Sequence, residues 1–113
     1  MITVSRVLLF SDEADRIVAA LAAITDTEPI SVRITRLDGV RVTAYLIDVG
    51  TTVIEVAPGE SAVPALIELL VLDLAAACDR LSVAGITAVA TPERGGVRVR
   101  IGSLTVAVRG VER

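Results

Sequence analysis

Histidine, lysine, asparagine, glutamine and tryptophan are absent from this chain of 113 residues, and tyrosine, phenylalanine and cysteine occur once each, as Tyr45, Phe10 and Cys78. Each absence closes a line of chemistry. Without histidine there is no imidazole base, no Ser-His-Asp or Cys-His pair, and no His-containing zinc or iron site. Without lysine there is neither a Schiff base nor a phosphate-loop lysine. One cysteine makes no internal disulfide and no thiolate metal cluster. Among the common catalytic groups this leaves the carboxylates, arginine, the hydroxyls and Cys78. No two carboxylates are spaced so that they must converge, and the expectation is no catalytic residue, no metal and no cofactor.

What is present is apolar. The chain is 53% hydrophobic and 22% charged, with a mean hydropathy of +0.72, far from the composition of a disordered segment. At this length about two-thirds of the unfolded surface can be buried, so residues 1–113 are expected to form a single domain. All eleven basic residues are arginine, set against fourteen acids, for a net charge of −3. An acidic chain with two aromatic residues is a poor nucleic-acid binder, which calls for a basic excess or stacking platforms. The longest apolar stretch, 62–84, is broken by Glu68, Asp73 and Asp79. Each acid at mid-membrane costs about 2.5–3.5 kcal/mol, so no membrane span is expected. The composition, rich in Ala, Val, Arg and Gly, fits a GC-rich bacterial genome and a cytoplasmic protein.

The periodicity predicts the elements. Residues 2–9 read as a first strand, although Val4, Val7, Leu8, Ser11 and Ala14 also fit a helical period. Ser11 is placed to cap a helix in which Ala14, Ile17, Val18, Leu21 and Ile24 recur at three- and four-residue spacing as far as Thr25. From Ile30 the period is two. A three-residue Leu37–Gly39 loop sets Ile34 opposite Val42 and Thr35 opposite Arg41, whereas a two-residue loop would pair Arg36 with Arg41. A third strand covers 52–57. Ser61 is the expected cap of a long second helix, with Pro64 in its first turn and its end at Leu81 or Val83 before Gly85. Strands over 86–91, 97–101 and 104–109 follow, the last two joined by the two-residue turn Gly102-Ser103. The predicted fold is α+β, two-layer, with antiparallel sheet or sheets and two helices in the order (β)-α-β-β-β-α-β-β-β.

Three groups of residues stand out. On a helix running from Ser61 to Val83, the residues Ala65, Leu69, Leu72, Ala76 and Val83 would lie on the side away from the core stripe, leaving an apolar face that needs a partner. Arg33, Arg41, Arg98, Arg100 and Arg109 take outward strand positions and would form a basic stripe, suited to an acidic protein or a phosphate, if the two meanders share a sheet. Exposed strand arginines also guard sheet edges and maintain solubility. The third group is the segment Leu46-Ile47-Asp48-Val49-Gly50-Thr51-Thr52. It resembles the first phosphate loop of the actin, heat-shock-chaperone and sugar-kinase superfamily. That resemblance implies a metal-positioning role for Asp48 and a phosphate contact at Gly50, Thr51 and Thr52. The alternative is a glycine turn between two strands, and 113 residues cannot supply that superfamily's two lobes.

The element order is similar to that of small dimeric adaptors such as type III secretion chaperones and roadblock-like domains. Together with the apolar helix face, this leads to the expectation of a non-enzymatic assembly module whose partner is a second copy of itself or another protein. An immunity or phage-encoded component that binds one specific protein is the alternative expectation.

Overall fold

The computed structural model describes residues 6–60, 65–91 and 95–111. In chain order the elements are β1 (Arg6–Ser11), α1 (Ala14–Thr25), β2 (Ile30–Thr35), β3 (Arg41–Asp48), β4 (Val53–Pro58), β5 (Ala65–Val71), α2 (Leu74–Val83), β6 (Val89–Thr91), β7 (Gly96–Ile101) and β8 (Leu104–Gly110). They form two sheets of four strands, β1-β4-β3-β2 and β5-β8-β7-β6. The α+β class is as the sequence indicated. Each half of the chain is a strand, a helix and a three-strand meander whose last strand lies parallel to the first, β1 beside β4 and β5 beside β8. Both sheets are therefore mixed.

The first half follows its local signals. Ile34 pairs with Val42 and Thr35 with Arg41, and Gly39 is left-handed at φ 84°, as the three-residue loop requires. The α1 stripe is buried at Ala14, Ile17, Val18, Leu21 and Ile24, with Ala20 beside it. Ser11 does not cap α1. It ends β1, and its hydroxyl accepts a hydrogen bond from the Glu13 amide at 3.0 Å.

The second half departs from expectation at one point that matters. The stretch expected as one long helix is divided into β5 and α2, with Ser61 and Pro64 outside the described residues. Asp73, not Ser61, caps the observed helix, its Oδ1 accepting from the Ala76 amide at 3.0 Å. The leucine-rich run 65–71 fits either period locally. Its seven paired positions along β8 decide for a strand, with Ala65, Ile67, Leu69 and Val71 inward and Leu66, Glu68 and Leu70 outward. The proposed partner face is lost with the helix that defined it. Ala65 and Leu69 belong to β5, Leu72 to the β5–α2 connection, and only Ala76 and Val83 to α2. Strand β6 is also shorter than expected, three residues against six.

The helices pack on the inner faces of the sheets, and the buried residues of both helices and both sheets form one contiguous cluster. Arg80 of α2 donates to the carbonyls of Ala23 and Ile24, satisfying the last turn of α1 and tying the helices together. Gly96, at the start of β7, has no room for a side chain because a Cβ there would run into the carbonyl oxygen of Val108. Gly96→Ala should therefore force β7 from β8 and cost about 1–3 kcal/mol of stability, read as a lower urea midpoint.

Candidate functional site

Strand alternation turns the other set of side chains outward, away from the helices. On the first sheet this outer face carries Leu8, Leu46, Val53 and Ala57 around Glu55, the one charged residue among those described that is buried, at 2% exposure. Glu55 Oε1 accepts from Arg6 Nη1 at 3.0 Å. On the second sheet the outer face carries Leu66, Glu68 and Leu70 from β5, Thr105, Ala107 and Arg109 from β8, Gly96, Arg98 and Arg100 from β7, and Val89 and Thr91 from β6. Glu68 Oε1 accepts from Arg109 Nη2 at 2.7 Å.

These two ion pairs share a local diagonal geometry, although they sit two residues apart along the two ladders, Glu68 corresponding to Leu8 rather than to Arg6 when the strand ends Ser11 and Val71 are matched. Arg6 on β1 bonds the residue opposite its second neighbour, Leu8, and Glu68 on β5 bonds the residue opposite its second neighbour, Leu70. The geometry is repeated and the signs are exchanged. No residue-by-residue repeat in the sequence signals this, because the repeat lies in strand pairing.

The second outer face is hollow. Across one row run Val89, Arg98, Ala107 and Glu68, and the Arg109 and Leu70 row passes over Gly96. Ala107, a very small residue, thus sits among long side chains, leaving a cleft of about 470 Å³ walled by Leu66, Val89, Arg98, Glu68 and Arg109. A second hollow, of about 360 Å³, shares Val89 and Arg98 and adds Thr87, Arg100 and Thr105. A larger depression of about 660 Å³ lies by the β2–β3 hairpin, but its guanidinium is already engaged. Arg36 bonds both Asp38 oxygens and the carbonyl of Pro58. That guanidinium, helped by the Val40 amide, holds the Asp38 carboxyl below its ordinary 3.8.

The arginines expected as one stripe are divided between the sheets. Arg98, Arg100 and Arg109 share the second outer face, whereas Arg33 and Arg41 belong to the first sheet and to the side on which α1 packs, with Arg33 donating to Thr43 Oγ1. The Asp48–Thr52 segment is the β3–β4 turn. Asp48 Oδ1 accepts from the Gly50 amide at 2.8 Å, Gly50 has φ 98°, and the Val49 amide bonds the Thr52 carbonyl. Its carboxylate holds its own turn, and the turn borders a separate groove near Thr25 and Arg80. Sequence reasoning missed Leu66, Glu68, Val89 and Ala107. The signal for three of them was the period-two option in 65–71 and the alternation of 104–109.

No protein-family model and no curated protein matches the chain. Solved structures share its fold. FosX, a fosfomycin resistance protein of Listeria monocytogenes, superposes with a TM-score of 0.65 at 12% identity over 99% of this chain and 94% of its own. A Bacillus subtilis protein described as a putative glyoxalase/fosfomycin resistance protein reaches 0.68 at 16% identity over 98% and 91%. The antibiotic-binding protein TnmS3 of a Streptomyces species reaches 0.68 at 11% identity over 99% and 98%. This is the fold of the glyoxalase/fosfomycin resistance proteins. The likeness overturns the expectation of a pure interaction module of the adaptor type. It also overturns the expectation of no enzymatic activity, which missing histidine and lysine do not establish in this fold.

One FosX structure is described as a complex with Mn(II) and a dihydroxypropylphosphonic acid. The donors of the present chain do not fit such an ion. There is no histidine, Cys78 is on α2, and among the described residues no three acidic or sulfur ligands converge. The two outer-face glutamates that could ligate are each held by an arginine. Among the described residues, no helix is long and apolar enough to cross a membrane.

The depressed Asp38 pKa gives stability that is present above pH 3.8 and is lost as pH falls through the lower folded value. Arg36→Ala should raise the Asp38 midpoint toward 3.8, measured by NMR titration of its carboxyl.

Proposed function

We propose that the protein binds a small organic molecule in the cleft of the second sheet. The observation that carries this reading is the cleft itself, within the 300–1,000 Å³ or so typical of ligand sites and combining apolar walls with a few charged groups. Leu66, Val89 and Ala107 supply contact area, and Glu68, Arg98 and Arg109 supply orientation. The names of proteins sharing the fold, fosfomycin resistance and antibiotic binding, support a role in handling small molecules.

Glu68 is the one carboxylate among the described residues lining the cleft, so it is the group placed to exchange a proton with a bound molecule. The Arg109 guanidinium fixes its position through a short bond between side chains that are each about one-third exposed. Its net contribution to stability is discounted to about 0–1 kcal/mol by solvent screening, so the pair can reorganise around a ligand without endangering the fold.

Ala107 forms the floor. Ala107→Trp should fill the cleft and weaken binding of any ligand selected from a small-molecule screen by tenfold or more, with the urea midpoint little changed. Ligand-observed NMR measures the affinity, and mass spectrometry of the same mixtures reads conversion. Unchanged affinity in the variant would move the site elsewhere.

A further inference from the structure

Resting on that reading of the cleft, we infer that its ligand is an oxyanion on an apolar body, with the anionic group seated between Arg98 and Arg100. Both arginines are exposed on the same face of β7, two residues and so about 7 Å apart. Neither has a carboxylate partner among the described residues. The hydroxyl-bearing residues Thr87 and Thr105 line the same hollow, and Thr105 is directly opposite Arg100. Two guanidinium forks and two hydroxyls form a donor-rich surround with no acid among the described residues lining it, which is what phosphate-like oxygens require.

Edge protection does not account for Arg98, because β7 lies between β6 and β8 and Arg98 is paired on both sides, to Val89 and Ala107. Charge balance points the same way. Among the described residues, the two adjoining hollows hold Arg98, Arg100 and Arg109 against Glu68, and Glu68 is already bonded to Arg109. Two uncompensated positive charges thus stand together on a chain whose net charge is −3. The hollows adjoin at Val89 and Arg98, and Arg100 is one row along β7 from the Arg98–Ala107 row, so a group held at Arg100 stands next to an apolar body lying over Ala107.

The test compares phenyl phosphate with benzyl alcohol, of similar apolar body and without charge, by NMR titration of the Leu66, Val89 and Ala107 methyls. Phenyl phosphate is expected to bind at least tenfold more tightly and to weaken as salt rises. Arg98→Ser with Arg100→Ser should remove that advantage, whereas Arg33→Ser, on the first sheet, should not. A urea midpoint confirms that the double variant is folded. Should both probes bind equally and the double variant change neither, the cleft stands and the oxyanion inference is overturned. If neither probe moves the cleft methyls, the cleft assignment fails and the inference fails with it.

Discussion

A parallel pair of strands cannot be joined by a tight turn, and both halves of this chain are organised by that constraint. Once β1 must lie beside β4, and β5 beside β8, the chain between them has to leave the sheet, cross one face and return. The helix is the natural crossover, and it commits that face to the core. Because α1 and α2 also pack against each other, two four-strand sheets share a single interior. The outer faces are what remains. The cleft exists because the helices are all on the other side.

Polar groups are distributed accordingly. The inner faces carry Ile47, Ile54, Val56, Val99, Val106 and Val108, all nearly inaccessible. The outer faces carry the two arginine–glutamate pairs, each bridging diagonally between parallel neighbours and with opposite polarity. Glu55 is enclosed while Arg6 above it is 57% exposed, so the first pair has a buried acid and a base open to solvent. In the second pair both side chains are about one-third exposed. One internal repeat therefore presents a closed carboxylate on one sheet and an accessible one beside a cleft on the other.

Much of the fold was legible because much of it is local. The α1 stripe, the Gly39 loop with its register and the Gly102 hairpin each depend on a few neighbouring residues, and each is found as read. What failed was the segment whose conformation depends on a distant partner. Residues 65–71 become a strand only by pairing with 104–110, about forty residues away, and an apolar run with both periods in it cannot announce that. The error propagated to the site. A helix there made Leu69 and Leu72 a docking face, and hid the fact that Leu66 and Glu68 stand beside Ala107. Of the residues that now define the cleft, Arg98, Arg100 and Arg109 were picked out for their charge, while their separation from Arg33 and Arg41 needed the two-sheet topology.

Ala107 lines the cleft and Gly96 lies one row away beneath Arg109, and they are constrained unequally. Gly96 is locked by the backbone of β8, whereas Ala107 faces outward with no part in the buried cluster. Successive substitutions at Ala107 can thus make the hollow shallower without touching the helices, and those at Leu66 or Val89 can recut its walls. A scaffold that vests its stability in one face of each sheet leaves the opposite face open to drift. The backbone arrangement that this chain shares with solved structures at only 11–16% identity is what such a division of labour allows.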